Sequence, residues 1–136
     1  MVKLIMGPKG TGKTKALVEL VRRAVEEESG SVVCIEKDKN LTYDIPYTVR
    51  LIHSSDYCFG SVEFFKGFIS GLHAANYDIS HIFIDNLLKM FDDIDMDRLS
   101  SLLDELDALG EKENVKFTIS ATADPNTVGD NIKKYL

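Results

Sequence analysis

The chain reads as an α/β protein: a three-layer fold with a mainly parallel five-stranded sheet and helices on both faces. Two observations lead there. Short apolar runs alternate with segments of helical periodicity from end to end, the pattern of strand–helix–strand units. Two of those runs stop cleanly, one at Gly7 and one at Asp85, as buried parallel strands do at the edge where ligands bind. The length of 136 residues suits one domain over 1–136, and no repeat, low-complexity segment or linker interrupts it.

Each element has a local reason. Residues 2–6 are a short apolar strand. Residues 13–28 follow as a helix, because Leu17, Leu20, Val21, Ala24 and Val25 share one face, and Ser29-Gly30 ends it. Residues 31–36, rich in valine and isoleucine, form the second strand. Residues 37–47 are polar, contain Asn40 and Pro46, and read as a loop. Residues 48–53 make a third strand, placed at the sheet edge. Ser61 is the N-cap of a helix reaching residue 75, with Phe65, Phe68, Ile69 and Leu72 facing inward. That spacing reads as core packing rather than as a platform for stacked bases. Residues 81–84 are the fourth strand, ending at Asp85. A helix over 96–109 carries Leu99, Leu102, Leu103 and Leu106 and stops at Gly110. Residues 115–120 are the fifth strand. Asp124-Pro125 starts a last helix, a capping carboxylate followed by proline, and that helix carries Val128, Ile132 and Tyr135.

Composition narrows the function classes. The apolar fraction is 44% and the charged fraction 28%, both ordinary for a soluble globular protein. No apolar run approaches the roughly 18 residues of a membrane helix, and the opening MVKLIMGPKG is not a signal peptide. Cys34 and Cys58 lack metal-ligand spacing and read as reduced thiols of a cytoplasmic protein. Net charge is −6, from 22 acidic and 16 basic residues, which argues against nucleic acid as a partner. The basic pairs Arg22-Arg23 and Lys133-Lys134 read as solvated helix faces.

One motif carries chemistry. Gly7-Pro8-Lys9-Gly10-Thr11-Gly12-Lys13-Thr14 satisfies G-x-x-x-x-G-K-[ST] in full, between an apolar strand and an amphipathic helix. From average residue usage, a chance match arises in roughly one chain of this length in several hundred. Glycines let backbone amides approach phosphate oxygens, and the helix that follows presents its positive end to the anion. Lys13 then supplies charge between the β- and γ-phosphates, and Thr14 a hydroxyl for Mg²⁺. Lys9 is either a further phosphate contact or a solvated loop residue. A magnesium site of this kind needs a carboxylate at the end of a neighbouring buried strand, and Ile82-Phe83-Ile84-Asp85 has that form. Asp85 is therefore the expected Walker B residue.

The sequence resembles the P-loop NTPases, and within them the RecA-like branch. GPKGTGKT (7–14), VVCIEK (32–37) and HIFIDNLL (81–88) carry the likeness, and with the strand–helix order it extends over most of the chain. In that branch a small polar residue and leucine often follow the Walker B aspartate, as Asn86-Leu87 do here. The resemblance implies that Glu36, at the end of the second strand, activates water; the other reading is a solvated first residue of the loop. Ser120-Ala121-Thr122 is similar to the helicase SAT tripeptide, and Ser120 stands where RecA-like proteins place a polar sensor of the γ-phosphate; the other reading is a plain turn. Other branches keep a glutamate where Asn86 stands. GTPases are excluded by the absence of N-K-x-D and D-x-x-G, which favours ATP. Type II thymidine kinases share the layout but use D-E after the last apolar run and a zinc lasso, both missing. Pilus-retraction ATPases have a similar GPxGxGKT loop but need a sensing domain for which the chain has no room.

The resulting expectation is an ATP-binding protein, an Mg²⁺-dependent hydrolase with Glu36 and Lys13 as catalytic residues. A nucleotide switch with little turnover and a nucleoside-kinase-like phosphotransferase accepting at 37–60 stand as alternatives. A protein partner or a homo-oligomer is compatible with either, with Arg50 or Arg98 available as a finger on a neighbouring subunit. Asp93, Asp95 and Asp97 alternate like an EF-hand start, but Arg98 holds the glycine position and Asp104 the closing glutamate position. Carboxylates at a helix N-terminus account for them. His53, His73 and His81 are scattered over separate elements and read as packing or surface residues.

Overall fold

The computed structural model describes residues 1–57 and 59–136; Cys58 lies outside the described residues. Along the chain run β1 (Val2–Gly7), α1 (Lys13–Glu27), β2 (Ser31–Glu36), β3 (Arg50–His53), α2 (Val62–Ala75), β4 (Ile79–Ile84), α3 (Met96–Glu113), β5 (Lys116–Thr122) and α4 (Asp130–Lys133). Short 3-10 turns lie at Ser54–Asp56, Leu87–Met90 and Pro125–Thr127. The five strands form one sheet in the order β1-β5-β4-β2-β3, parallel throughout, with β3 at an edge as the sequence predicts. Parallel strands end on a common side. Gly7 is therefore opposite Thr122, and Ile84 stands between Ile35 and Ile119. One strand, β5, separates β1 from β4.

Side chains alternate along a strand, and here they divide between two apolar clusters. Val33, Ile35, Ile82, Ile84, Phe117 and Ile119 pack with Phe65 and Ile69 of α2 and with Leu99, Leu102, Leu103 and Leu106 of α3. Val32, Cys34 and Phe83 pack instead with Leu17, Val18, Val21 and Ala24 of α1 and with Leu41, Ile45 and Val49 from the long loop. Each such side chain contributes roughly 1.5–3 kcal/mol when fully buried. The alternation also sets the polar strand ends. Glu36 and Asp85 lie two residues beyond Cys34 and Phe83, so they face the α1 side.

A buried polar chain ties α1 to the sheet at its far end. His81 on β4 is 2.8 Å through Nδ1 from Glu28 and 2.8 Å through Nε2 from Thr118 on β5. Its ring stacks on Phe83, with centroids 4.0 Å apart.

Helix starts follow their caps. Ser61 Oγ accepts from the Phe64 N–H at 3.1 Å, and Asp95 accepts from the Arg98 N–H at 2.8 Å. Two helix ends differ from expectation. α3 does not stop at Gly110 but continues to Glu113, and Asn114 closes it in the left-handed conformation, φ 55°. Gly110 is inside the helix because a Cβ there would fall 2.5 Å from the Val115 carbonyl oxygen. The helix expected from Asp124-Pro125 is split. Asp124 accepts from the Asn126 N–H and the Thr127 hydroxyl, closing a single 3-10 turn. Val128 then runs extended into the core before α4. Among the described residues no helix is long and apolar enough to cross a membrane.

Candidate functional site

The loop from Gly7 to α1 takes its shape from two glycines in the left-handed region, Gly10 at φ 82° and Gly12 at φ 81°. A side chain at either would strain the backbone. The Thr11 hydroxyl and the Lys13 ammonium both donate to the Pro8 carbonyl at 2.7 Å, so the lysine folds back over its own loop. Lys13 is the first residue of α1, and no acidic residue occupies that helix's first turn to offset its positive end.

Three strand ends meet this loop. Thr14 Oγ1 lies 3.2 and 3.3 Å from the two carboxylate oxygens of Asp85. The Asp85 N–H donates to the Ile35 carbonyl at 2.9 Å, and its carboxylate accepts from the Ser120 hydroxyl at 2.7 Å. The same hydroxyl accepts from the Asn86 N–H at 2.9 Å, and the Thr122 hydroxyl donates to the Asn86 side-chain carbonyl at 2.9 Å. Asp85 is thus held by partners on α1 and β5 while β5 bridges the gap to β1.

Beside this network opens a cavity of about 290 Å³. Lys9, Lys13, Lys15 and Lys89 line it with Gly10, Gly12, Thr14, Asn86 and Thr122. Four ammonium groups, free helix amides and no lining carboxylate favour a polyanion with several phosphate-like groups. A smaller cavity, about 200 Å³, lies at the other edge of the sheet beside Glu28, His81 and Thr118. The polar atoms of those three side chains already bond one another, whereas the lysine-lined cavity lies against the loop 7–14 and the Thr14 hydroxyl that meets Asp85, which makes it the functional candidate.

Of the residues singled out in the sequence, Lys9, Gly10, Gly12, Lys13 and Thr14 line the cavity. Gly7, Pro8 and Thr11 shape the loop without lining it. Asp85 is brought to Thr14. Ser120 is not at the cavity wall: it is 1% exposed, and its hydroxyl is occupied by Asp85 and Asn86. Thr122, two residues further along the same strand face, lines the cavity instead. Glu36 is neither a solvated loop residue nor turned to the cavity. It is 3% exposed, its oxygens accept the N–H groups of Asn40 and Leu41 at 2.9 to 3.2 Å, and His53 Nδ1 lies 3.4 Å away. Its carboxylate holds the start of the long loop. Arg98 is paired with Glu63 at 2.7 Å, and the Arg50 guanidinium reaches the Leu51 carbonyl.

Four lining residues escaped sequence reasoning. Lys15 adjoins the 7–14 motif, and Thr122 closes the Ser120-Ala121-Thr122 tripeptide, of which only Ser120 was expected at the phosphates. Asn86 stands out in the sequence as the small polar residue after Asp85 and as a departure from other branches, not as a ligand contact, and nothing local marks Lys89. The chain matches no protein-family model and no curated protein.

Proposed function

We propose that the chain is a P-loop nucleotide-binding protein of the RecA-like kind that binds Mg²⁺-ATP and hydrolyses it. The observation that carries this reading is the four-lysine cavity at the start of α1, with Thr14 on its wall and Asp85 directly behind that hydroxyl. The three-layer arrangement of that superfamily fits the division of alternating strand residues between one cluster with α1 and another with α2 and α3. Lys13 would leave the Pro8 carbonyl for the β- and γ-phosphates. The donor set suits Mg²⁺, which takes few protein carboxylates and keeps several waters. Thr14 would hold it directly and Asp85 through its water shell. The ion, when bound, neutralises charge on the β- and γ-oxygens.

A second reading, a switch that binds ATP and turns it over slowly, is favoured by one observation: the Glu36 carboxylate is bonded to loop amides and does not line the cavity. The two share a test. Calorimetric titration with ATP, with and without Mg²⁺, is run beside phosphate release. Binding that depends on Mg²⁺ is expected, and Lys13→Ala lowers affinity roughly tenfold or more with its circular dichroism spectrum unchanged. Equal affinity in the variant sinks the assignment. Binding without release supports the switch. Transfer to an added nucleoside points to a kinase, with its acceptor in the cavity of about 320 Å³ that Thr14 and Lys15 share with Arg22, Leu41 and Asp44.

A further inference from the structure

Three of the four lysines around the cavity, Lys9, Lys13 and Lys15, come from the loop and the first turn of α1. The fourth, Lys89, comes from the 3-10 turn Leu87–Met90, which follows Asp85 on a different wall. That turn is firmly built. Asn86 enters it in the left-handed conformation, φ 56°, with its N–H on Ser120 and its side-chain carbonyl on Thr122. The Lys89 N–H closes the turn on the Asn86 carbonyl at 3.0 Å. A 3-10 helix has three residues per turn, so Leu87 and Met90 share a side. Both are buried, at 0% and 3% exposure, which anchors the turn in the core and leaves Lys89 exposed at the cavity. Among the described residues no carboxylate lies within ion-pair distance of Lys89. No arginine lines the cavity.

We infer that Lys89 is a phosphate-reading residue supplied by the chain itself, a cation that contacts the terminal phosphate of a bound nucleoside triphosphate. The role rests on the nucleotide-binding reading above. The loop and α1 would hold phosphates from one side, and Thr14 with Asp85 would hold the metal beside the last phosphate. Lys89 follows Asp85 by four residues and meets the cavity on that side. A diphosphate lacks the group that Lys89 would contact, so Lys89 distinguishes the two nucleotides by adding its charge to that of Lys13 at the terminal phosphate. Because the turn is anchored through Ser120 and Thr122, loss of the terminal phosphate leaves Lys89 without its partner while the turn stays in place.

The test compares the Mg²⁺ complexes of ADP and of a non-hydrolysable ATP analogue, titrated into the parent, Lys89→Ala and Lys89→Arg. A charge-assisted contact of this type predicts that Lys89→Ala weakens the analogue roughly tenfold or more and ADP by about twofold at most, and that Lys89→Arg restores most of the difference. Lys89 is exposed, so all three proteins should give the same circular dichroism spectrum. Equal weakening of both ligands, or an unchanged ratio, overturns the role of Lys89 while leaving nucleotide binding intact. A parent that binds neither nucleotide overturns the nucleotide reading and this role with it.

Discussion

Glu36 and Asp85 stand at the ends of adjacent strands, and their carboxylates serve different purposes. Asp85 faces Thr14 and Ser120, hydroxyls that a metal ion and its waters can displace or share. Glu36 accepts backbone N–H groups from Asn40 and Leu41, the second of them buried away from water. Cys34 precedes Glu36 by two residues on the same face. Burial foremost, then the charges of Asp85 and Glu36, push its thiol far above the ordinary range, so it is inert at neutral pH. Glu36→Gln puts an NH₂ group where an acceptor oxygen meets those amides. It should lower unfolding stability by about 1–3 kcal/mol, the cost of a buried donor left unpaired. Phosphate release from Mg²⁺-ATP should stay within a few-fold of the parent. Denaturant unfolding and a release assay on the same preparations separate the two roles. A drop of about 10²-fold or more in release with unchanged unfolding would return Glu36 to the part of general base.

Gly110 illustrates what an element reveals only in place. As a helix residue it is unfavourable by roughly 1 kcal/mol against alanine, and Gly110→Ala would ordinarily stabilise α3. Here the added Cβ would meet the Val115 carbonyl oxygen at 2.5 Å, a backbone atom that cannot swing aside, and the Met1 nitrogen at 3.0 Å. The substitution should therefore destabilise the protein by about 1–3 kcal/mol, the range for overpacking. A denaturant midpoint equal to or above the parent's would show that the close approach relaxes freely. The sequence could not separate a stop glycine from a packing glycine, because one of the crowding atoms belongs to Met1, more than a hundred residues away. The same physics divides the site. The loop 7–14 is legible because its conformation depends on its own glycines and the helix after it. Asp85 is legible because a buried strand ending in a carboxylate is a local pattern. Thr122, Asn86 and Lys89 become neighbours of that loop only through the strand order that sets β5 between β1 and β4. Neither alternation nor motif spacing encodes that order.

Across the whole molecule, α1 is fastened at both ends: at its start by Thr14 to Asp85, and just past its end by Glu28 to His81 and on to Thr118. The second fastening makes stability depend on pH. Burial, the largest influence on His81, disfavours its imidazolium; with the charges of Lys116 and the N-terminal amine it outweighs the facing Glu28, so its pKa lies below the ordinary 6.5. For Glu28, burial acts upward as the largest single influence. Hydrogen bonds from His81 and Ser80, with the charges of His81 and Lys116, together outweigh it and hold the carboxyl below 4.5. In both cases the unfolded chain binds the proton more readily than the folded one. Stability is then fully present above about pH 6.5, falls as the pH drops from there and His81 is driven to protonate, and falls again below about 4.5 as Glu28 does. Urea midpoints at about pH 7.5, 5.5 and 4 should decline stepwise in the parent. His81→Gln should begin less stable at pH 7.5, since Glu28 and Thr118 lose their shared partner, yet change little down to pH 5.5 because the titrating ring is gone. If the variant loses as much between 7.5 and 5.5 as the parent does, the acid sensitivity lies outside the Glu28–His81–Thr118 chain.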